Sequence, residues 1–309
     1  MKRLFPILLL LSGCHTGAPK PPEVRVVRIV TVLGRLTTPL AEALTKVLPD
    51  HFPARAEIQK TATTKDYVEM LVSGGAELAI VQTDVAYTAY TQGLPDMPLP
   101  QKRLRGMALL YRSPMHIIAR RGTGIQNLSD LRGKRVFVGT DGNTPEITTK
   151  MILDGAGISV EQKTMPETAV AEALSRGDLD AAFIRGNDPS PAVQRVMQAP
   201  GVFLVPIGRA DVGRIRLHHP FLRSTTIAAG LYGNEAEIQS VGTDMLLACR
   251  DDLPDELVYW ITRTLFESLP DLAESYSLLR QVDLQQLSAS PIPLHPGAAR
   301  FYRERELLQ

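Results

Sequence analysis

Apolar and polar positions follow one another in blocks along this chain, and one order of blocks occurs twice. Residues 28–33 form an apolar, strand-like run. Gly34 and a polar loop follow, then Thr38-Pro39 and apolar positions at helical spacing: Leu40, Ala43, Leu44, Val47 and Leu48. Residues 135–139 repeat the run, residues 139–144 supply a polar, glycine-punctuated loop, and Pro145 opens a helix carrying Ile147, Met151 and Ile152. Threonine is a good N-cap, and proline suits the first helical position because its missing N–H would have no partner there. A second block recurs as LVSGGAELAIVQTD (71–84) and LSRGDLDAAFIRGND (174–188). Each reads as a helix end, a glycine stop, an acidic residue, a buried strand and a polar stretch closing on Asp84 or Asp188.

Any one of these units is an ordinary strand-to-helix turn. Two copies of the pair predict two similar α/β lobes. Four helix N-termini, near Thr38, Asp84, Thr144 and Asp188, could then face one cleft. Unpaired N–H donors and the positive end of the helix dipole suit such a cleft to an anionic group.

Between and after the copies the pattern predicts further elements. Residues 67–72 are helical and stop at Gly74-Gly75, and residues 93–103 are a proline-rich surface loop. Residues 104–121 are strand-like but interrupted by Pro114, which marks the crossing from the first lobe to the second. Residues 125–132 are a short helical turn, 202–205 a buried strand, 212–223 a polar stretch with His218-His219, and 225–232 a strand. Residues 241–249 return to the first lobe. A long amphipathic helix then runs from Pro254 to about Leu269, with Leu257, Val258, Ile261, Leu265 and Phe266 on its apolar face. Residues 272–287 continue the helical pattern, and the tail ends in one more helix.

Composition narrows the class. With 309 residues, 44% hydrophobic and 22% charged, the chain has an average globular composition and enough length for two domains. A formal net charge of +1, with no basic arm, gives no sign of nucleic acid. Residues 1–14 read as a leader: Lys2 and Arg3 precede a short apolar segment that ends in Leu-Ser-Gly-Cys14. That ending resembles the bacterial lipoprotein signal, so Cys14 is the expected lipidation site and residues 15–23 a tether. A plain signal peptide with a chance cysteine is the alternative. Cys249, the only other cysteine, is expected to be a small buried residue without a disulfide partner. No P-loop, G-x-G-x-x-G, G-x-S-x-G, H-E-x-x-H or EF-hand pattern occurs, and the histidines lack metal-ligand spacing. No enzyme, metal or cofactor is expected.

Five ordered stretches resemble one family: LVSGGAELAIVQTDVAY (71–87), LLYRSPMHIIARRGTGIQNLSDLRGKRVFVG (109–139), LSRGDLDAAFI (174–184), VGTDMLLACRDDLPDELVYWITRTLFESL (241–269) and IPLHPGAARFYRE (292–304). The chain resembles the solute-binding subunit of tripartite (TRAP) transporters of the TAXI type. The resemblance implies an α/β, two-lobed, class II periplasmic-binding-protein-like fold with a hinge and an interlobe cleft. The expected lobes are residues 24–114 with 241–309, and residues 115–240. It further implies capture of a small solute, an amino acid or other carboxylate, and delivery to a TRAP-type integral membrane permease. The receptor is expected as a monomer in the periplasm or at the cell surface, held to the membrane by its lipid.

Gln82-Thr83-Asp84 and Tyr87 match the family's Q-S-D-x-x-Y pattern. The middle loop keeps Gly139 and Gly142 but has Asn143-Thr144-Pro145 where the family has serine, although Thr148 fits a threonine of the helix. The first loop departs most, with Arg35 and bulkier side chains before Thr37 and Thr38. The candidate ligand contacts are therefore Thr37, Thr38, Gln82, Thr83, Asp84, Tyr87, Asn143, Thr144, Arg185 and Asn187. Structural alternatives stand beside these: Gln82 and Asp84 as helix caps, Tyr87 as core, Asn143 and Asn187 as turn residues, while Thr38 and Thr144 are caps under either reading. Arg185 could pair with a ligand carboxylate, with Asp188 or with a surface carboxylate. An ionised Asp84 in the cleft repels an anion unless it meets an amino group, so an amino acid is expected ahead of a simple carboxylate. A ligand-sensing receptor for a signalling partner and an extracytoplasmic enzyme are the other classes considered.

Overall fold

The computed structural model describes residues 26–32, 38–51, 54–140 and 144–308. In chain order its elements are β1 (Val26–Val32), α1 (Thr38–His51), β2 (Arg55–Thr61), α2 (Thr64–Ser73), β3 (Leu78–Gln82), α3 (Thr83–Thr91) and β4 (Leu104–Arg120). Then come β5 (Arg135–Gly139), α4 (Thr144–Ala156), β6 (Glu161–Thr164), α5 (Val170–Arg176), β7 (Ala181–Arg185), α6 (Pro191–Met197), β8 (Val202–Val205), α7 (Arg209–His218) and β9 (Arg223–Ile227). The chain closes with β10 (Ile238–Arg250), α8 (Asp255–Ser275) and α9 (Pro296–Glu304).

Two long antiparallel strands, β4 and β10, tie together two sheets of the same design. In the first, the order is β2-β1-β3-β10-β4. In the second, β6-β5-β7 continues onto the far half of β4, whose other side carries β8. In each sheet three parallel strands meet one antiparallel strand that arrives from the other half. Pro114 does not interrupt β4. It pairs with Gly242 at the crossing, where a Cβ on Gly242 would lie 2.7 Å from the Ser113 carbonyl oxygen. The glycine admits that close approach, and proline is tolerated where its lost N–H is not needed for the ladder.

Both faces of each sheet are buried. Ile29, Leu44, Leu257 and Phe301 lie in one cluster of the first sheet, and Val30, Tyr67, Leu71 and Val85 in the other. Phe183, Ile152 and Ile215 belong to one cluster of the second sheet, and Ala182, Leu174 and Val196 to the other. Strands buried on both faces explain the continuous apolar runs in the sequence.

One ion-pair arrangement recurs in both halves. Arg28 on β1 donates Nε and Nη2 to the Glu77 carboxylate at 3.0 and 2.6 Å, and its backbone N–H also bonds Glu77 at 2.8 Å. Arg135 on β5 donates the same three groups to Asp180 at 3.1, 2.7 and 3.0 Å. Each acid immediately precedes the third strand of its sheet, and its own N–H returns to the arginine's carbonyl. The acidic residue of the recurring sequence block is therefore a clamp on the first strand.

Three expectations change. Residues 209–218 form a helix, α7, whose inward face has only Val212 and Ile215, too few for a clear period. The strand expected over 225–232 ends at Ile227, and turns with Gly230 at φ 77° and Gly233 at φ 78° follow. The helical pattern of 272–287 divides: α8 continues to Ser275, and two 3₁₀ turns cover Ser277–Gln281 and Leu284–Gln286. Cys249 is buried, as expected, and burial pushes its thiol pKa up.

Candidate interlobe solute site

β3 and β7 are equivalent strands of the two sheets, and their C-terminal ends meet. Asp84 stands in the first turn of α3, directly after β3. Its Oδ1 accepts from the Val85 N–H at 2.9 Å. Arg185 is the last residue of β7, and Thr148 stands in the second turn of α4. The Thr148 hydroxyl donates to Asp84 Oδ2, and Arg185 Nη1 reaches Thr148 Oγ1 at 2.9 Å and Asp84 Oδ2 at 3.4 Å. Asp84 and Thr148 are fully buried and Arg185 is 6% exposed. An acid from one half thus pairs with a base from the other across a junction closed to water. Burial pushes the Arg185 guanidinium pKa below its ordinary value, and the charge on Asp84 opposes that shift.

One tyrosine lies near the pair, and two others hold Asn187. Tyr67 on α2 is buried, and its hydroxyl pKa is raised by burial first and by the Asp84 charge second. Asn187 hydrogen-bonds the hydroxyls of Tyr111 on β4 and Tyr276 beyond α8, which bond one another at 3.2 Å. The loop that presents Asn187 is braced from below. Asp188 Oδ1 meets His116 Nε2 at 2.8 Å and accepts from the Tyr232 hydroxyl at 2.6 Å, while the Ser190 N–H donates to that hydroxyl at 2.6 Å. Gly186 allows the tight return, since a Cβ there would lie 2.2 Å from Ser190 Oγ.

Beside Arg185 a cavity of about 400 Å³ opens between the start of α4 and the start of α6. Pro145, Glu167, Gly186, Ser190 and Arg195 are among its lining residues. Burial raises the Glu167 carboxyl pKa, with Arg195 opposing. The volume suits a small organic solute. Among the described residues, no cluster of three or more His, Cys, Asp or Glu side chains could hold a metal, and no helix is long and apolar enough to cross a membrane.

The sequence candidates separate on this geometry. Asp84 and Arg185 come together, and Asn187 meets Tyr111 and Tyr276 instead. Arg185 pairs with neither Asp188 nor a surface carboxylate, because Asp188 is taken by His116 and Tyr232. Gln82 ends β3 as a buried residue, and its side chain makes no cap bond. Thr83 Oγ1 accepts from the Asp244 N–H at 3.2 Å, which ties α3 to β10. Tyr87 stacks on Phe221 with centroids 4.7 Å apart, the core role named as its alternative. Thr38 begins α1, and its buried Oγ1 has no partner among the described residues. Thr144 begins α4. Thr37, Asn143, the Thr144 side chain, the first loop with Arg35, and Cys14 with its leader lie outside the described residues. Sequence reasoning passed over Tyr67, Tyr111, Tyr276, His116 and Tyr232. Their only signal was a hydroxyl or imidazole inside an apolar run, which needs a partner once buried.

Two α/β sheets, two connecting strands and a polar junction between the lobes define the two-lobed fold of periplasmic binding proteins. A TctC solute-binding protein from Polaromonas has a similar fold, with a TM-score of 0.55 at 15% identity over 85% of this chain and 89% of that one. The periplasmic aliphatic sulphonate-binding protein SsuA from Escherichia coli gives 0.51 at 13% identity, over 92% and 94%. XAC2383 from Xanthomonas citri, solved with chloride, gives 0.51 at 13%, over 91% and 95%. The chain itself belongs to the NMT1-like family, whose model matches residues 36–305.

Proposed function

We propose that this protein is an extracytoplasmic solute receptor that captures a small organic solute between its lobes and delivers it to a membrane permease. The observation that carries the reading is the buried Asp84–Arg185–Thr148 junction, with a solute-sized cavity against Arg185. Family membership and the shared fold with solute-binding proteins support it. Binding rather than turnover suits the site, since its charged groups neutralise one another. The lobes comprise residues 24–114 with 241–309, and 115–240, and they close about the crossing at Pro114 and Gly242. The solute is an amino acid or other carboxylate. The partner is a TRAP-type permease of the TAXI class, and Cys14 carries the lipid that holds the monomeric receptor at the membrane.

Mass spectrometry of small molecules released on denaturing the purified protein is the direct test. A single organic acid or amino acid is expected at near-stoichiometric amount. It should be missing from Arg185→Ala, and adding it back to stripped wild type should reduce the radius of gyration in solution scattering. Protein that releases nothing, and whose melting responds to no small solute, would remove this reading.

A further inference from the structure

Two cavities, of about 300 and 180 Å³, share Arg223, Asp244 and Gln286 in their linings near the crossing of β4 and β10. Neither is lined by Asp84, Thr148, Arg185 or Asn187, so both stand apart from the solute site. Asp244 on β10 is 3% exposed, and two guanidiniums divide it. Arg112 Nε donates to Oδ1 at 2.8 Å, but Arg112 Nη2 and Arg223 Nη1 reach Oδ2 only at 3.5 and 3.3 Å. Those two contacts lie beyond the usual range for an N–H···O bond. One carboxylate offsets one of the two cations, and Arg216, exposed on α7, brings a third. Asp283, the other acid of the linings, is exposed and accepts from the Gln285 N–H at 3.0 Å. The linings therefore carry an excess of positive charge. Arg223 spends its Nη2 on a neutral acceptor, Gln286 Oε1, at 2.9 Å, and its Nε has no hydrogen-bond partner among the described residues. That bond runs between the halves: β9 packs on the second sheet through Ile227, and the turn with Gln286 packs on the first through Leu287.

We propose that Arg112, Arg216 and Arg223 form a second binding site, which takes a tetrahedral oxyanion of the phosphate type. The proposal does not rest on the reading of the Asp84–Arg185 junction. Guanidinium matches the oxygens of phosphate by paired N–H donors, and a charged acceptor draws it more strongly than a neutral amide does. The three arginines come from three elements, β4, α7 and β9. A tetrahedral anion presents oxygens in several directions, whereas a carboxylate presents two in one plane. The anion takes the place of Gln286 on Arg223, offsets the unmatched charge and leaves Asp244 with Arg112. The tie between the halves then passes from Gln286 to the anion. Free phosphate and the phosphate of a small ester share this chemistry.

Calorimetry on the wild-type chain at constant ionic strength, with phosphate, glycerol phosphate, acetate and chloride, is the test. Phosphate is expected to bind once per chain with a dissociation constant below about 1 mM, and acetate and chloride about tenfold more weakly or worse. Either phosphate compound supports the site, and the tighter of the two identifies the source. Arg223→Gln should weaken phosphate about tenfold, and the exposed Arg216→Gln about threefold. Gln286→Ala should instead tighten it about threefold, because Arg223 loses its competing acceptor. A cluster that only braces the hinge gives no such gain. Arg216→Gln and Gln286→Ala suffice if Arg223→Gln does not fold. No saturable phosphate binding up to about 10 mM overturns the proposal. So does an affinity unchanged in both Arg216→Gln and Gln286→Ala, or binding that Arg185→Ala abolishes. None of these results touches the solute-receptor reading, whose own test is the released solute.

Discussion

Arg28 on β1 and Arg135 on β5 occupy equivalent places in the two lobes, and each holds the acid that precedes the third strand by the same three donors. The likeness extends outward. The helix before each acid stops at a left-handed glycine, Gly74 at φ 87° and Gly177 at φ 82°. A second arginine lies over each glycine, Arg250 in one lobe and Arg120 in the other. At the mouth of the cleft the likeness ends. The first lobe starts α3 directly after β3 and places a carboxylate, Asp84, in its first turn. The second lobe ends β7 on a guanidinium and inserts a braced loop before α6. The frame repeats because both lobes face the same problem of pinning a buried parallel strand. The mouths differ because opposite charges must meet there.

The largest expected effect is at the mouth of the second lobe. Gly139 has φ 132°, and a Cβ there would lie 2.7 Å from the Glu146 backbone nitrogen. Gly139→Ala combines a backbone clash with a conformation that side chains avoid, so a loss of about 3 kcal/mol or more is expected in urea unfolding. A loss below about 1 kcal/mol would show that the turn relaxes freely.

Next come the clamps. Glu77→Gln and Asp180→Asn each remove a charge-assisted pair whose arginine is about one-third exposed, at 35% and 37%. Discounted for that exposure, about 1–2 kcal/mol is expected from each, and the two losses should agree within about 1 kcal/mol. Unequal losses would break the equivalence of the lobes.

The same clamps have a pH signature. Burial alone would raise both carboxyls, but the bonds and charge of Arg28 and of Arg135 outweigh it, so Glu77 and Asp180 are held below their ordinary values. Their contribution is complete above the unfolded values near 4 and is lost as pH falls through the lower folded values. Between about pH 5 and pH 3, the wild type should lose stability more steeply than the Glu77→Gln/Asp180→Asn double variant. Parallel curves would mean that the clamps carry no linkage.

Smallest are the helix stops. Gly74→Ala and Gly177→Ala should each cost about 1 kcal/mol, because alanine resists the left-handed conformation. A difference of more than about 0.5 kcal/mol between them would mark the two stops as unlike despite their matching arginine neighbours.

The sequence by itself determined the repeated frame. Apolar runs at 28–33 and 135–139, helical spacing after Thr38 and Pro145, and the glycine–acid–strand blocks at 71–84 and 174–188 are local patterns. They held because each element buries its own apolar face against the adjoining sheet. Where the apolar signal thinned to two residues, Val212 and Ile215, α7 went unread. Tertiary structure alone decided the pairings. Asp84 and Arg185 are separated by 101 positions, and nothing local to either makes them partners. Their meeting depends on the crossing of β4 and β10, which brings the ends of β3 and β7 together. Asp188 meets His116 and Tyr232 rather than Arg185, and Tyr67 comes near the junction from the first lobe. Periodicity reports which face of an element is buried. It carries no information about which polar groups on two distant faces meet, because that is set by how the two sheets join at β4 and β10.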